Sequence, residues 1–548
     1  MADPHVTLTD TTSRWILRRV ADYPDGAIRM SNTPHSIVSR RAFGQLLGAA
    51  AMSGALPDLT FGAPTPVRPP LQEELMTSHA GAGDELCDLT AVELAARIRR
   101  KQLSARDVMA AHIARIERVN PKINAIVTLV AERAMTDAKK ADELQARGGS
   151  LGPLHGLPVA HKDLVRTAGI RTTFGSPMYK DFVPPDDALI VKRIRSAGAI
   201  TLGKTNTPEW GAGSNTFNPV FGATVNPYNL AKTVGGSSGG AAAALRCGMV
   251  PIADGSDTGG SLRNPAAFTN VVGFRPTPGR VPDDDGSWSP LSTAGPMART
   301  VADVALFLSA MVGAHPSDPL AIDENGTKFR APLARSFKGT RVAWFKNLGG
   351  IPFESEITRV VHANRQAFVD LGCIVEEAEP DFTGVDDAFP ILRHLSYHSS
   401  YSRLARENPT MFKDSVKWEI AEAERNTGAD VARALARQAR MSLDVARFFA
   451  QYDYFVLPVT QVEPFDVTTE YPMTVAGERM PTYIDWMRSC WYVTFMACPC
   501  ISVPAGFTAN GLPVGLQIVG ARRSDWALLQ MAHAFEQATK HGARRPSL

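Results

Sequence analysis

The central stretch of this chain reads Gly235-Gly236-Ser237-Ser238-Gly239-Gly240 and continues, after an apolar segment, as Asp257-Thr258-Gly259-Gly260-Ser261-Leu262-Arg263. Residues without a bulky side chain allow backbone conformations that other residues avoid. Two glycines directly before Ser261 let consecutive backbone N–H groups converge beside its hydroxyl, which is what an oxyanion hole requires. A tight turn with a helix cap at Ser261 is the alternative interpretation.

A lysine ends the apolar run 157–162, upstream of both serines. We predict that this run is a buried strand with Lys162 at its last position. Burial disfavours the charged ammonium, so the pKa of such a lysine falls and its neutral amine can take a hydroxyl proton. A surface lysine whose amine reaches solvent is the alternative. Two serines and one lysine can therefore make a hydrolase that needs no histidine.

The remainder of the chain alternates between predicted strands and predicted helices. Thr90-Ala91-Val92-Glu93 is a capping box that opens a helix, and Asn120-Pro121 is expected to end the helix that follows Ser104. Further helices are predicted at 187–197, 238–246, 354–371 and 524–541, and strands at 199–203, 341–345, 373–377, 453–459, 500–503 and 514–519. This alternation predicts an α/β fold with one large, mixed, twisted sheet covered by helices on both faces. Without a clear linker after Thr90, one domain over 67–548 is expected.

Composition excludes several classes of protein. The net charge of +3 over 548 residues offers no basic footprint for a nucleic acid. The six cysteines are few for this length and lie mostly in apolar surroundings, which favours buried thiols. Cys498 and Cys500 are separated by one residue, whereas a redox or zinc pair has two between its cysteines. No other metal-ligand spacing is present, so we expect neither a metal nor a cofactor.

The first 66 residues differ from the rest and are interpreted as an N-terminal extension. Ser39-Arg40-Arg41-Ala42-Phe43 precedes a stretch that carries no charge as far as Leu56. This pattern resembles a twin-arginine export signal, and the stretch is too short to span a bilayer well. It predicts export to the periplasm or cell exterior without stable membrane insertion. A short helix ahead of the main domain is the alternative, and the protein would then stay in the cytoplasm.

Taken together, the motifs resemble those of the amidase-signature family from about Thr90 to the C-terminus. The block 235–276 matches the family pattern almost continuously, and 203–209 and 511–517 are further family-like stretches. The resemblance implies a triad of Ser261 as nucleophile, Ser237 as a bridging serine and Lys162 as the base. It also implies a cis peptide bond between Gly236 and Ser237.

The resemblance assigns supporting roles to the neighbouring residues. The N–H groups of Thr258, Gly259, Gly260 and Ser261 would form the oxyanion hole. Ser238 matches a serine that supports the site without being essential. Asp257 and Arg263 flank the turn, and their opposite charges suggest an ion pair that holds it in place.

The implied activity is hydrolysis of the C–N bond of a small-molecule carboxylic amide through an acyl-enzyme on Ser261. Aromatic residues in a predicted helix at 482–492, together with Trp210 and Phe217, favour an apolar or aryl substrate. The alternative is that most of these aromatic residues belong to the core; those in the helix are Tyr483, Trp486, Trp491 and Tyr492. Carbamates, esters and cyclic amides would use the same triad. The sequence leaves open whether the protein forms a homodimer.

Three rival interpretations concern the same motifs. Residues 235–239 also match the nucleophile elbow of α/β-hydrolases, in which Ser237 would attack and the base would be His394, His398, His533 or His541. The poor core strand before it and the missing His-Gly-Gly loop speak against this interpretation. Asp257-Thr258-Gly259 is only a single copy of the aspartic-protease triplet. Within the family, the alternative is one component of a glutamine- and tRNA-dependent amidotransferase, which a genuine export signal would exclude. A non-catalytic scaffold protein is a further alternative, but it would have no need of Lys162, Ser237 and Ser261.

Overall fold

The computed structural model describes residues 82–547, which belong to one compact unit. The predicted extension at 1–66, its export signal and the domain boundary at 66/67 lie outside the described residues and stay predictions. Among the helices in the described part of the chain, none has the length and apolarity needed to cross a membrane.

Eleven strands form the main sheet, in the order β1-β3-β2-β8-β10-β9-β16-β17-β13-β11-β12. The strands in chain order are β1 Ile126–Leu129, β2 Pro158–Lys162, β3 Ile200–Thr205, β4 Phe217–Asn218, β5 Gly222–Ala223, β6 Val225–Asn226, β7 Asn229–Thr233, β8 Ile252–Asp257, β9 Val272–Arg275, β10 Thr293–Ala298, β11 Arg341–Trp344, β12 Ile374–Glu377, β13 Tyr454–Pro458, β14 Thr474–Val475, β15 Glu478–Arg479, β16 Cys500–Phe507 and β17 Pro513–Gly520. β2 pairs in parallel with β3 and β8, and β11 pairs in parallel with β12 and β13. The other pairs in this sheet are antiparallel, so the predicted mixed sheet is confirmed.

Helices flank this sheet. In chain order they are α1 Ala82–Asp88, α2 Ala91–Arg99, α3 Ala105–Ile123, α4 Ala131–Ala146, α5 Leu189–Ser196, α6 Gly239–Arg246, α7 Arg263–Phe268, α8 Val301–Met311, α9 Ser355–His362, α10 Arg365–Asp370, α11 Val385–Glu407, α12 Asp414–Arg425, α13 Gly428–Phe449, α14 Arg488–Phe495 and α15 Asp525–Thr539. Thr90 caps α2 as predicted, with the N–H of Glu93 donating to its hydroxyl at 3.1 Å.

Two buried clusters show that both faces of the sheet are covered. Neighbouring residues of β2, Val159 and Ala160, belong to different clusters, as do Ile252 and Ala253 of β8. Successive side chains of a strand point to opposite faces, so each cluster lies on its own face. α2 and α8 contribute to one cluster, and α3, α4 and α6 contribute to the other. The prediction that helices cover both faces of the sheet is therefore confirmed.

Three predicted helix boundaries are wrong, and in each a polar side chain accounts for the difference. α3 continues through Pro121 to Ile123, and the Asn120 side chain accepts the N–H groups of Ala125 and Ile126 beyond its end. The predicted helix 354–371 is two helices, because Asn364 donates to Val360 O and to Ala505 O of β16. The predicted helix 482–492 becomes helical only at Asp485, whose carboxylate accepts from Thr482.

Candidate active site

Lys162 stands at the end of β2, between β3 and β8, and its side chain is completely buried. Its Nζ lies 2.7 Å from Ser237 Oγ and 3.1 Å from Ser256 Oγ. Its backbone N–H donates to Asp254 Oδ1 at 2.9 Å. The strand therefore delivers the amine to two hydroxyls, and the alternative of a solvent-reaching lysine is wrong.

Burial lowers the pKa of Lys162 to about 7, although Asp254 and Asp257 oppose this by favouring the ammonium form. A lysine in water titrates near 10.4, so the buried amine loses its proton at a far lower pH. Neutral amine is therefore available near neutral pH, and a neutral amine can accept a proton. The predicted fall in the pKa of Lys162 is confirmed.

Ser237 follows the predicted cis peptide bond, which lies between Gly236 and Ser237. Asn264 of α7 brackets Gly236: its Nδ2 donates to Gly236 O at 2.7 Å, and its Oδ1 accepts the N–H of Gly236 at 2.9 Å. The Thr216 hydroxyl donates to Gly235 O at 2.8 Å. These contacts hold the Ser237 hydroxyl beside Lys162. Asn264 was not identified from the sequence, although it directly follows Arg263 in the motif.

Ser261 lies in the turn between β8 and α7, and this turn is built around the Asp257 carboxylate. The carboxylate accepts the N–H groups of Gly260 at 3.0 Å and Leu262 at 3.1 Å. Arg263 forms a two-point ion pair with it, from Nε at 2.9 Å and from Nη2 at 2.8 Å. Burial alone would raise the pKa of Asp257, but Arg263 and Arg275 hold it well below its ordinary value. The predicted Asp257–Arg263 pair is confirmed.

The same turn corrects two predictions. Because the Gly260 N–H is engaged by Asp257, it is not free for an oxyanion. The N–H groups of Thr258, Gly259 and Ser261 have no hydrogen-bond acceptor among residues 82–547. Three donors rather than four are thus available at this turn. The alternative of a helix cap at Ser261 is also wrong, since α7 begins after Leu262.

Ser238 is fully buried behind the two serines of the proposed triad. Its N–H donates to Ser261 O at 3.3 Å, and its Oγ lies 3.4 Å from both the N and the O of Ser256. It joins the start of α6 to β8 and to the Ser261 turn. Ser256, the second partner of Lys162, was missed in the sequence. It lies two residues after Asp254 in β8, so both side chains are on one face of the strand, and both residues contact Lys162.

A cavity of about 500 Å³ opens onto Ser237, Ser256 and Ser261. Its wall is more polar than the sequence suggested, because α11 contributes Arg393 and several hydroxyls to it. The other lining residues on α11 are Ser396, Tyr397, Ser399, Ser400 and Tyr401. Three carboxylates, from Asp283, Asp285 and Asp318, also line it. A cavity of this volume accepts a small organic substrate.

The predicted aromatic lining is largely wrong. Trp210 lines the cavity, but the four aromatic residues of the 482–492 segment are at most 5% exposed and lie in the core. Trp491, for example, stacks on Phe389 of α11 with ring centroids 4.7 Å apart. Phe217 is half-buried beneath the Lys413 ammonium, which lies 4.6 Å from its ring centroid. The cavity residues of α11 carry no sequence motif that could have revealed them.

The histidine-dependent alternative is wrong because the hydrogen-bond partner of Ser237 Oγ is Lys162. His394 is bound to Glu419 at 2.6 Å, and His541 is bound to Asn364 at 2.9 Å. His398 and His533 each face a glutamate at 3.7 Å. Within residues 82–547 no cluster of three or more His, Cys, Asp or Glu side chains could hold a metal ion. All six cysteines are buried free thiols, as predicted.

Comparisons with known proteins agree on one family. Residues 107–529 match the model of the Amidase family. The chain is 38% identical to an acylamidase of Rhodococcus erythropolis, over 84% of this chain and 97% of that protein. It is 36% identical to the A-subunit of the glutamyl-tRNA(Gln) amidotransferase of Moorella thermoacetica, over 85% and 99% of the two chains.

Similar solved structures include an acylamidase and a hydrolase. A bacterial aryl acylamidase of the amidase-signature enzymes has a TM-score of 0.78 and 28% identity, covering 84% of this chain and 99% of that one. A 6-aminohexanoate cyclic dimer hydrolase has a TM-score of 0.74 and 27% identity with the same coverage.

Proposed function

This chain belongs to the Amidase family and hydrolyses the C–N bond of carboxylic amides, and on that premise we propose how its residues share the chemistry. Ser261 is the nucleophile, Ser237 relays protons, and Lys162 is the base. The observation that carries this assignment is the 2.7 Å contact between Lys162 Nζ and Ser237 Oγ, at the wall of the cavity that Ser261 also lines.

The reaction begins when the neutral Lys162 amine takes the Ser237 proton while Ser237 Oγ takes the proton of Ser261. Ser261 Oγ then bonds to the carbonyl carbon, and the N–H groups of Thr258, Gly259 and Ser261 stabilise the negative oxygen. As the C–N bond breaks, the proton returns through Ser237 to the departing nitrogen. An amine leaves and an acyl-serine ester remains. Water, deprotonated along the same path, hydrolyses that ester to a carboxylate and restores Ser261.

The substrates we propose are acylated amines, including anilides. The acylamidase and the aryl acylamidase among the compared proteins support this class. A component of a glutamyl-tRNA(Gln) amidotransferase is the competing assignment, and turnover of a simple anilide by the isolated chain would separate the two. Failure to hydrolyse any simple amide would count against the proposed substrates.

The decisive experiment locates the acyl group and tests each residue. We expect mass spectrometry of a trapped acyl-enzyme to find the acyl group on Ser261. Ser261→Ala and Lys162→Ala should abolish amide hydrolysis, and Ser237→Ala should lower kcat by about 10²–10⁴-fold, as expected for a proton-transfer group. His533→Ala is the matched control and should retain activity. An acyl group on Ser237, or full activity of Ser261→Ala, would overturn the assignment.

We also propose that Ser39–Phe43 and the uncharged stretch to Leu56 direct export through the twin-arginine route. The chain offers a matched control, because a second arginine pair, Arg18-Arg19, has no such stretch after it. Replacing Arg40 and Arg41 by lysines should retain the enzyme in the cytoplasm, whereas the same change at Arg18 and Arg19 should leave export intact. Equal periplasmic fractions for wild type and both variants would rule the signal out.

A further inference from the structure

Arg393, on α11, places a buried charged group in the wall of the catalytic cavity. The residue is 5% exposed, and it lines the same cavity as Ser237 and Ser261. Nothing in the proposed triad chemistry uses this side chain. A buried guanidinium has five N–H donors to satisfy, so its partners reveal what it can do.

One side of the Arg393 guanidinium is fixed by the protein. Its Nε donates to Glu419 Oε1 at 2.6 Å, and its Nη2 donates to the Tyr483 hydroxyl at 2.7 Å. Glu419 is itself held by His394 at 2.6 Å, and the Arg393 guanidinium lies 4.9 Å from the ring centroid of Tyr397. These contacts lock the orientation of the group before any substrate arrives.

The other side of the guanidinium is unpaired. Within residues 82–547, Arg393 Nη1 has no hydrogen-bond acceptor, and it faces the turn that carries Ser261. A methyl group on Gly259 would lie 4.0 Å from Nη1. Nη1 is therefore opposite the backbone that would hold the oxyanion. Because Arg393 lines the cavity, a bound acceptor can take the hydrogen bond that Nη1 does not make within the protein.

The charges around Arg393 favour an uncharged acceptor. Glu419 already neutralises the guanidinium, and Asp283, Asp285 and Asp318 add negative charge to the same cavity. The three carboxylates would repel a negatively charged substrate group in this cavity, whereas they would not repel an uncharged carbonyl oxygen in the same way. Asp283 and Asp285 are exposed and mark the open side of the cavity. An amine that departs through this open side would leave the acyl group on the side of the buried Arg393.

We propose that Arg393 is a specificity-determining residue, which donates from Nη1 to a second, uncharged carbonyl oxygen on the acyl side of the substrate. The preferred substrates are then diamides rather than simple aliphatic or aryl acyl amides. This inference rests on the proposed function, because it requires an acyl group bound at Ser261.

The test compares three p-nitroanilides of nearly equal shape, in which the acyl group ends in a carboxamide, a carboxylate or an isopropyl group. One, two or three methylenes separate the two ends. With the spacer length that gives the highest kcat/KM, the wild-type enzyme should prefer the carboxamide over the isopropyl compound by at least about tenfold in kcat/KM. The carboxylate compound should have a lower kcat/KM than the carboxamide compound. In Arg393→Met, the carboxamide-to-isopropyl ratio should fall by about 10–100-fold.

Two controls keep the outcome clear. Arg406→Met removes an exposed arginine of the same helix and should leave the ratio unchanged. The double variant Arg393→Met/Glu419→Gln removes the unpaired buried carboxylate that could unfold the single variant, and it should show the same loss of preference. If the wild-type enzyme had the same kcat/KM for the carboxamide and isopropyl compounds at every length, the proposed role of Arg393 would be wrong. A preference for the carboxylate compound would also overturn it. Hydrolysis of none of the three compounds by the wild-type enzyme would instead count against the proposed function.

Discussion

Among single residues, the contrast between two buried lysines shows what makes an amine useful as a base. Lys204 lies on the neighbouring strand, opposite His161, and is as buried as Lys162; burial lowers the pKa of Lys204 to about 8. Its Nζ donates to Val165 O and to the Thr167 hydroxyl at 2.8 Å, away from the serines of the site. Burial alone therefore does not distinguish the two amines; the contact with Ser237 is what supports Lys162 as the proposed base.

The pKa of Lys162 predicts how activity depends on pH. Only the neutral amine accepts a proton, so kcat/KM should rise with pH, reach half of its plateau at about 7, and fall about tenfold per pH unit well below that. The measurement is kcat/KM for an uncharged anilide between pH 5 and 9. A profile that is flat through this range would contradict the assignment of Lys162 as the base.

Asp254 provides a second prediction at this level. Its carboxylate binds the Lys162 N–H and favours the ammonium form of Lys162. Asp254→Asn removes that charge, so the midpoint of the pH profile should move below 7. Asp303→Asn, which alters a buried carboxyl at the start of α8 instead, is the control and should leave the midpoint in place. An unchanged midpoint in Asp254→Asn would show that its charge does not act on the base.

Among helices and strands, the start of α6 is determined by close packing. Gly239 and Gly240 follow the two serines, and α6 there approaches the chain just after β3. A Cβ on Gly240 would come within 2.3 Å of Asn206 N and 2.7 Å of Asn206 O. Backbone atoms on both sides leave little room to adjust. The glycines thus allow α6 to lie where Ser237 and Ser238 contact β2 and β8.

Alanine substitution at Gly240 tests this packing. Gly240→Ala should lower the free energy of unfolding by about 1–3 kcal/mol, the usual cost of overpacking, and should reduce kcat/KM because the serines shift. Gly428 is the matched control: it begins α13, and a Cβ there meets nothing within 4 Å. Gly428→Ala should be neutral or stabilise by about 0.4–1 kcal/mol. Urea unfolding of both variants measures the difference, and equal effects would refute the packing argument.

Across the protein, one buried charge network connects segments that are far apart in the chain. Arg263 pairs with Asp257 and also donates to Cys490 O at 2.7 Å and to Gln517 Oε1 at 3.1 Å. It thereby joins β8 and α7 to α14 and β17. Arg275 of β9 adds a second cation beside Asp257. The turn that carries Ser261 is therefore anchored to the C-terminal part of the sheet.

The same ion-pair geometry occurs on the surface, which allows a matched comparison. Arg359 binds Glu356 through Nε at 2.9 Å and Nη2 at 2.8 Å, but both side chains are partly exposed, whereas those of Arg263 and Asp257 are not. Asp257→Asn should lower the free energy of unfolding by about 3–5 kcal/mol, because it leaves buried arginines unpaired. Glu356→Gln should leave the urea midpoint almost unchanged. Similar midpoints for the two variants would mean that burial does not matter here.

The local features of the site were predictable because each is encoded in one continuous segment. The glycine and serine runs indicated Ser237, Ser261 and the Asp257–Arg263 pair, and an apolar run ending in lysine indicated a buried amine. Strand and helix alternation indicated a mixed α/β sheet, since hydrophobic periodicity is a local property. Boundaries failed where a polar side chain bonded to a distant backbone, as Asn364 does to Ala505.

The walls of the cavity could not be predicted, because they depend on contacts between segments that no local pattern relates. Arg393 faces a turn more than 100 positions earlier in the chain, and the aromatic segment 482–492 turned inward against α11. Composition and order along the chain thus established the class of fold and indicated the candidate reactive groups. Only the tertiary structure decides which protein side chains a substrate contacts, because the packing of each helix determines which of its side chains face the cavity and which face the core.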